Sequence, residues 1–328
     1  MPYLNKGPNV IAVELGNGWS SSEGNQPGAT QQPPSLFLNG SAELEGGGTV
    51  PLRSGVGKGW SSNVGSRLYD SVYVGEFHNY TLSDSDWVPV VSTGTPKQLT
   101  LQTRPAVVEL AVLPALWVRP ANRTTMLPNA GASFLVDFGQ NIAGTVRLKA
   151  PAADGQTIVI RHCEVLNHPP LSAEPQLAAC WLGNAGLNAN QNGELAHAAS
   201  VDTYILPSSK PLDTINSPKW LQPEFTVHGF RYAEISGLSS LVPSDVMAVV
   251  VGANVTQSSS LKMSNALIEK IQNATVWSQR GNTQDIFTDC PQRDERLGWM
   301  GGAAISTEEA MYNFGAGGNT NSVPADDS

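Results

Sequence analysis

Residues 288–299 read Thr288-Asp-Cys-Pro-Gln-Arg-Asp-Glu-Arg-Leu-Gly-Trp299. The run sets three carboxylates (Asp289, Asp294, Glu295) and two guanidiniums (Arg293, Arg296) between a Cys-Pro pair and an indole. A loop that needs only water around it has little use for Cys-Pro at one end and Trp at the other. Carboxylates held this close repel one another, which drives their pKa values apart. An apolar aromatic wall raises whichever one it desolvates. A carboxylic acid can then stay protonated near neutral pH, ready to donate. Charge-rich turns also serve as structural ion-pair networks, so residue types and spacing alone leave both readings open.

The whole run resembles the catalytic signature of the bacterial-type α-L-rhamnosidases, glycoside hydrolase family 78. Further resemblances lie upstream in that family's order. Asn9-Val-Ile-Ala-Val-Glu-Leu-Gly-Asn-Gly-Trp19 is similar to a strand of its N-terminal carbohydrate-binding module. Gly75-Glu-Phe-His-Asn-Tyr80 is similar to its Gly-Glu-Tyr-Asp-Ala-Arg element. Asp137–Gly144, Arg161–Leu166 and Phe225–Tyr232 resemble segments of its next β-sandwich. The resemblance implies a mainly β fold, with two β-sandwich modules followed by the first helices of an incomplete (α/α)6 barrel. Family members are much longer than this 328-residue chain. It opens on what resembles a late strand and stops soon after the signature, so it is expected to be an internal fragment or a truncated gene model.

Composition fits a β-rich carbohydrate-handling protein. Gly (32) and Pro (23) are plentiful, charged residues make up 14%, and the net charge is −9. An acidic balance without a basic run argues against nucleic acid or an anionic membrane as partner. No apolar stretch approaches the ~20 residues of a membrane span. No signal peptide is visible at residue 1; with the true N-terminus expected upstream, the compartment is left undetermined. Cys163, Cys180 and Cys290 form an odd set without CxxC, which argues against a disulfide framework and a zinc site. No cofactor and no metal are expected.

Along the chain, residues 1–98 are expected to form a partial N-terminal carbohydrate-binding-like β-sandwich, and 99–255 the second β-sandwich. Residues 256–316 would begin the six-hairpin catalytic domain, with a disordered tail at 317–328. Strands are expected at Val10–Leu15, Val72–Val74 and Trp87–Val91, then at Ser133–Val136, Gly144–Leu148, Thr157–Arg161, Thr203–Leu206, Arg231–Ile235 and Val246–Val251. Gly139 and Gly144 bracket a tight connection. Residues 169–199 read as a long surface insertion. From Ser260 the pattern turns helical: Leu267, Ile268, Ile271 and Ala274 share a face, with Ser264 as N-cap. Ser306-Thr-Glu-Glu309 has the pattern of a capping box opening a second helix.

The chemistry implied by the resemblance carries over residue by residue. The family inverts: one carboxylic acid protonates the leaving oxygen while a second carboxylate, roughly 6.5–9.5 Å away, activates water. Glu295 matches the general acid, with Asp294 as its rival because some related sequences carry the acid one position earlier. Asp289 matches a carboxylate that holds sugar hydroxyls, and Trp299 an aromatic wall of the sugar pocket. Arg293 and Arg296 would orient the carboxylates through charge-assisted hydrogen bonds; Arg293 and Asp294 belong with Asp289 and Trp299 to the substrate-binding set. Two departures stand out. The family follows the Trp with Thr-Gly-Asp, whereas this chain has Met300-Gly301-Gly302. No residue here corresponds to the general base, since Glu308 and Glu309 are explained by a helix N-terminus.

The expected partner is a rhamnose-containing glycoside or polysaccharide, and a second chain completing the barrel is one route to activity. The expected function is an inverting α-L-rhamnosidase fragment, inactive alone. The alternative is a non-catalytic carbohydrate-binding β-module protein with a vestigial signature. Asp137-Phe-Gly-Gln-Asn141 reads as a structural turn and His228 as a satisfied, half-buried histidine. His162 and Cys163 should point to opposite faces of a strand. Trp19, Trp60 and Trp87 read as core.

Overall fold

A computed structural model describes residues 7, 9–18, 34–55, 59–82, 86–91, 105–121, 133–151, 155–167, 179–180, 199–208, 219–293 and 296–320. The chain is mainly β, as expected, and is dominated by one ten-stranded sheet. Its first strands are β1 (Arg67–Ser71), β2 (Gly75–Asn79), β3 (Val107–Pro114), β4 (Trp117–Ala121) and β5 (Ser133–Lys149). The others are β6 (Thr157–Cys163), β7 (Val201–Ile205), β8 (Trp220–Leu221), β9 (His228–Ser236) and β10 (Val246–Ala253). Spatial order is β1-β2-β7-β6-β9-β5-β10-β3, with β4 and β8 also paired to β5. β2 runs parallel to β7, setting His78 opposite Tyr204; the other pairings are antiparallel.

β-branched and aromatic residues suit a pleated, half-buried surface, and here they fill one continuous core. Ile158 and Ile160 of β6, Tyr204 of β7, and Phe230, Ala233 and Ile235 of β9 are wholly inaccessible, together with Val136 and Val146 of β5. At roughly 1.5–3 kcal/mol for each large apolar side chain fully removed from water, such burial is the main stabilising term.

The two strands expected at 133–136 and 144–148 are a single 17-residue strand, β5. Its neighbour changes instead of its direction: β4 pairs along 133–137 and β10 along 144–148. Across from the switch, the pairing with β9 is irregular between Phe230 (opposite Ile142) and Tyr232 (opposite Asp137), with the extra residues on β5. Gly139 sits there at φ +79°, and a Cβ would lie 2.5 Å from Leu116 Cδ1, so the bulge depends on glycine. Asp137 Oδ1 accepts from Gly139 N (2.7 Å) and Arg231 Nε (2.9 Å), and Oδ2 accepts from Arg231 Nη2 (3.0 Å). Burial raises the Asp137 pKa, but the bonds from Arg231 and Gly139 outweigh it and hold the carboxyl below its ordinary range.

Other expectations change. Val10–Leu15 joins no strand among the described residues, and Val10 is 92% exposed; an apolar run needs a ladder partner to become a buried strand. Val72–Val74 is a turn, because Ser71 Oγ accepts from Tyr73 N and Val74 N and curls the chain. Trp87–Val91 contributes only Val88–Pro89, paired with Ser61–Ser62, and Trp87 is 54% exposed rather than core. Trp19 and nearly all of 169–199 lie outside the described residues, apart from Ala179–Cys180, which pairs with Leu166–Asn167. Cys163 is disulfide-bonded, and Cys290 is a half-buried cysteine outside any disulfide. An odd count argues against a framework, but one bridge needs only two thiols brought together.

Two helices follow, α1 (Ala266–Gly281) and α2 (Met300–Thr320). Asn265, not Ser264, caps α1, its Oδ1 accepting from Leu267 N at 3.0 Å. Val276 and Gln279 are buried and Trp277 packs on the core, whereas Leu267 (63%) and Ile271 (58%) face outward. α2 starts already at Met300, so Ser306 is interior and caps nothing; its Oγ donates back to Gly302 O at 3.0 Å. The helix runs to Thr320, into the stretch read as a tail. Among the described residues no helix is long and apolar enough to cross a membrane.

Candidate active site: a signature loop seated on the sheet

The signature run leaves α1 through a tight turn in which Thr288 N donates to Asn282 O at 2.7 Å. Asp289 N then donates to Leu297 O at 2.9 Å, closing 289–297 into a loop whose exit feeds α2. Cys290 (φ +61°) and Arg296 (φ +46°) take left-handed conformations. Each costs on the order of 1–3 kcal/mol and persists only where the surroundings over-determine it.

The sheet supplies that constraint. Arg296 is 2% exposed. Its Nη1 donates to Val72 O in the β1–β2 turn and to Val227 O (2.6 Å) ahead of β9, while Nε donates to Arg293 O at 2.8 Å. A buried guanidinium must fill its donors, and here main-chain carbonyls from two distant segments both take Nη1. The structure thus gives Arg296 a clamping task that its neighbours in sequence do not suggest. Gly229 completes the seat: a Cβ there would lie 2.5 Å from Gln292 Cβ and 3.0 Å from its Cα, so only glycine lets the loop backbone approach β9 this closely.

Glu76 anchors the segment that receives the clamp. It is 1% exposed. Its Oε1 accepts from Glu224 N (2.7 Å) and Phe225 N, and its Oε2 from Arg67 Nε (2.9 Å), with His78 Nε2 at 2.7 Å. Burial raises its pKa, but His78, Arg67 and Phe225 together hold it below the ordinary range. The Gly75–Tyr80 element, the Phe225–Tyr232 element and the signature therefore meet at one seam. A cavity of about 480 Å³ opens beside it, its lining including Phe225, Gln284, Asp285 and Pro291.

Of the site residues expected from sequence, Asp289 is exposed and lies 3.9 Å from Arg293 Nη2. Trp299 is 55% exposed at the loop exit, where its carbonyl accepts from Ala303 N at 3.0 Å. Asp294 and Glu295 lie outside the described residues. Glu308 accepts from Tyr312 OH and Glu309 from Asn313 Nδ2 along α2. His228 is not half-buried but 0% exposed, and Asp202 supplies the carboxylate its sequence neighbours lack, 3.3 Å away. Burial, with Arg296 nearby, lowers the His228 pKa to about 3. His162, likewise 0% exposed in its side chain, stacks on it at 4.1 Å. No sequence signal joins these residues, because they sit on three strands.

A β platform that holds an acidic, tryptophan-closed loop ahead of a pair of helices is the build of a modular protein family. Comparison with known proteins then settles which. The profile of the bacterial α-L-rhamnosidase concanavalin-like domain matches residues 129–252, and that of the bacterial α-L-rhamnosidase six-hairpin glycosidase domain matches 256–326. The chain belongs to the bacterial α-L-rhamnosidase family. An α-L-rhamnosidase of Formosa agariphila is 26% identical over 322 residues, covering 95% of this chain and 31% of that protein. One of Streptomyces avermitilis is 27% identical over 323 residues, covering 94% and 28%. The chain thus spans less than a third of these relatives' lengths. The crystal structure of Streptomyces avermitilis α-L-rhamnosidase complexed with L-rhamnose superposes with a TM-score of 0.72 at 26% identity, covering 92% of this chain and 27% of the other. The α-L-rhamnosidase of Aspergillus terreus gives 0.69 at 25% identity, covering 92% and 33%.

Proposed function

We propose that this chain is the β platform and acid-bearing loop of an inverting α-L-rhamnosidase that acts on terminal α-L-rhamnosides. The observation that carries the reading is the seat: a loop matching the catalytic signature is clamped by a buried arginine and a close-approach glycine, as preorganised catalysis requires. Glu295 is assigned proton donation to the glycosidic oxygen, with Asp294 as the rival donor. Asp289 and Arg293 hold sugar hydroxyls, and Trp299 offers its exposed ring to the sugar face. Inversion also needs a carboxylate roughly 6.5–9.5 Å from the acid to activate water. Glu308 and Glu309 are engaged along α2, and no residue of this sequence is assigned that task. The chain by itself is therefore expected not to turn over, and a second chain supplying the base would restore activity.

Hydrolysis of a chromogenic α-L-rhamnoside by the folded chain tests this, with Glu295→Gln as control. Cleavage by the chain alone, abolished in Glu295→Gln, would overturn the missing-base assignment; cleavage that survives the substitution would overturn Glu295 as the acid. The Met300-Gly301-Gly302 departure favours a second reading, a sugar-binding module with a vestigial signature. Rhamnose affinity unchanged in Glu295→Gln, without cleavage under any complementation, would select it.

A further inference from the structure

Three side chains at the middle of the sheet have no task in that reading. His162 on β6, Asp202 on β7 and His228 on β9 are 0% exposed in their side chains. One donor atom from each lies within 4.8 Å of the others. Asp202 Oδ2 stands 3.3 Å from His228 Nε2 and 3.8 Å from His162 Nε2.

The surrounding hydrogen bonds determine what faces the centre. Ser200 O accepts both the main-chain N–H and the ring Nδ1–H of His162, each at 3.0 Å. A carbonyl can only accept, so Nδ1 carries the proton and Nε2 presents a bare lone pair. This outer bond to a backbone carbonyl is the one that metal-ligating histidines use to fix their tautomer. Ser200 takes φ +52° to aim its carbonyl there, a conformation non-glycine residues hold only under constraint. Asp202 Oδ1 accepts from Glu76 N at 2.9 Å and also meets His228 Nε2 at 3.3 Å, while Oδ2 is turned toward the two rings. His162 Nε2 and Asp202 Oδ2 have no hydrogen-bond partner among the described residues. Two lone pairs facing each other in a dry interior repel, and 3.8 Å is too long for a proton to bridge. Tetrahedral bonds of about 2.0–2.2 Å, by contrast, separate their donors by roughly 3.3–3.6 Å.

We propose that His162, Asp202 and His228 form a buried structural site for a divalent transition metal. Two imidazoles and one carboxylate suit Zn2+ best. His228 is the third donor: the Nε2 proton it shares with Asp202 Oδ1 at 3.3 Å moves to Nδ1 when the ion binds. The ion would join β6, β7 and β9 and fix Asp202, whose carboxylate holds Glu76 and, through it, the segment that seats the signature loop.

The test strips the full chain with chelator and reloads it with Zn2+ or Co2+ alone. The expected result is one equivalent bound per chain, a visible Co2+ spectrum of a low-coordinate nitrogen–oxygen set, and a higher unfolding temperature with Zn2+. His162→Gln and Asp202→Asn should each weaken binding by about tenfold or more, while Cys290→Ser retains it. Absence of stoichiometric uptake by the unmutated, cooperatively unfolding chain overturns the proposal without recourse to any variant. Uptake that survives both ligand substitutions, or is lost in Cys290→Ser, overturns it as well.

Discussion

Replacing Arg296 by alanine tests the idea that the loop owes its shape to the sheet. Its guanidinium donates to Val72 O, Val227 O and Arg293 O. Without it the 3.4 Å contact from Thr226 Oγ1 remains at Val72 O, but the other carbonyls lose these donors. Each buried acceptor left unpaired costs about 1–3 kcal/mol, so the two together take about 2–6 kcal/mol of seating energy, about 4 at the centre of that range. The sheet's core contacts are untouched, and the loss should therefore be local. Hydrogen exchange reads this directly: the Asp289 amide, bonded to Leu297 O, should exchange about 10²–10³-fold faster or lose protection altogether, while β6 and β9 amides keep theirs. Arg296→Lys should recover only part, because an ammonium cannot reproduce the fork. Protection at Asp289 unchanged within a few-fold in a folded Arg296→Ala protein would refute the clamp.

Gly229→Ala should cost about 1–3 kcal/mol by forcing Gln292 off β9, seen as a lower denaturant midpoint at unchanged slope. The Asp137 carboxyl, held below its ordinary 3.8, contributes stability that is present above that value and lost as pH falls through the lowered one. Asp137→Asn should remove that acid-side loss and cost about 1–2 kcal/mol at pH 7, checked by chemical denaturation across pH. Ser306→Ala should be neutral or slightly stabilising, whereas a true cap would lose about 1 kcal/mol; thermal unfolding decides. Ile305, 87% exposed on α2, should accept lysine without loss of stability. With Leu267 and Ile271 also outward, Ile305→Lys should reduce self-association in sedimentation.

What could be read from the sequence was local. The apolar runs at 157–161 and 246–251 became β6 and β10, since a buried strand needs little beyond its own side chains. The twelve-residue signature pointed to the family because it is contiguous. What failed depended on partners: Val10–Leu15 lacked a ladder, and β5 ran straight through Gly139 because β9 and Arg231 support its bulge. Ser306 has a capping box's spacing, but spacing does not say where a helix starts. Arg296 could not be assigned from the loop, because its acceptors lie more than sixty residues upstream in Val72 and Val227. Nor could His162, Asp202 and His228 be grouped before the strand order was known.

The parallel seam between β2 and β7 has a consequence for how the molecule comes into being. Strands made early, at residues 67–79, find their neighbour only once residues 201–205 exist, and Glu76 waits further for the amides of Glu224 and Phe225. Loop closure across such spans is slow, so during synthesis the hairpin of β1 and β2 emerges with an open edge and a carboxylate whose partners come later. Secretion or chaperone capture in that interval would act on a different object from the finished sheet. A chain begun after residue 98 would present the unpaired edge of β7 permanently, inviting strand addition from a neighbour.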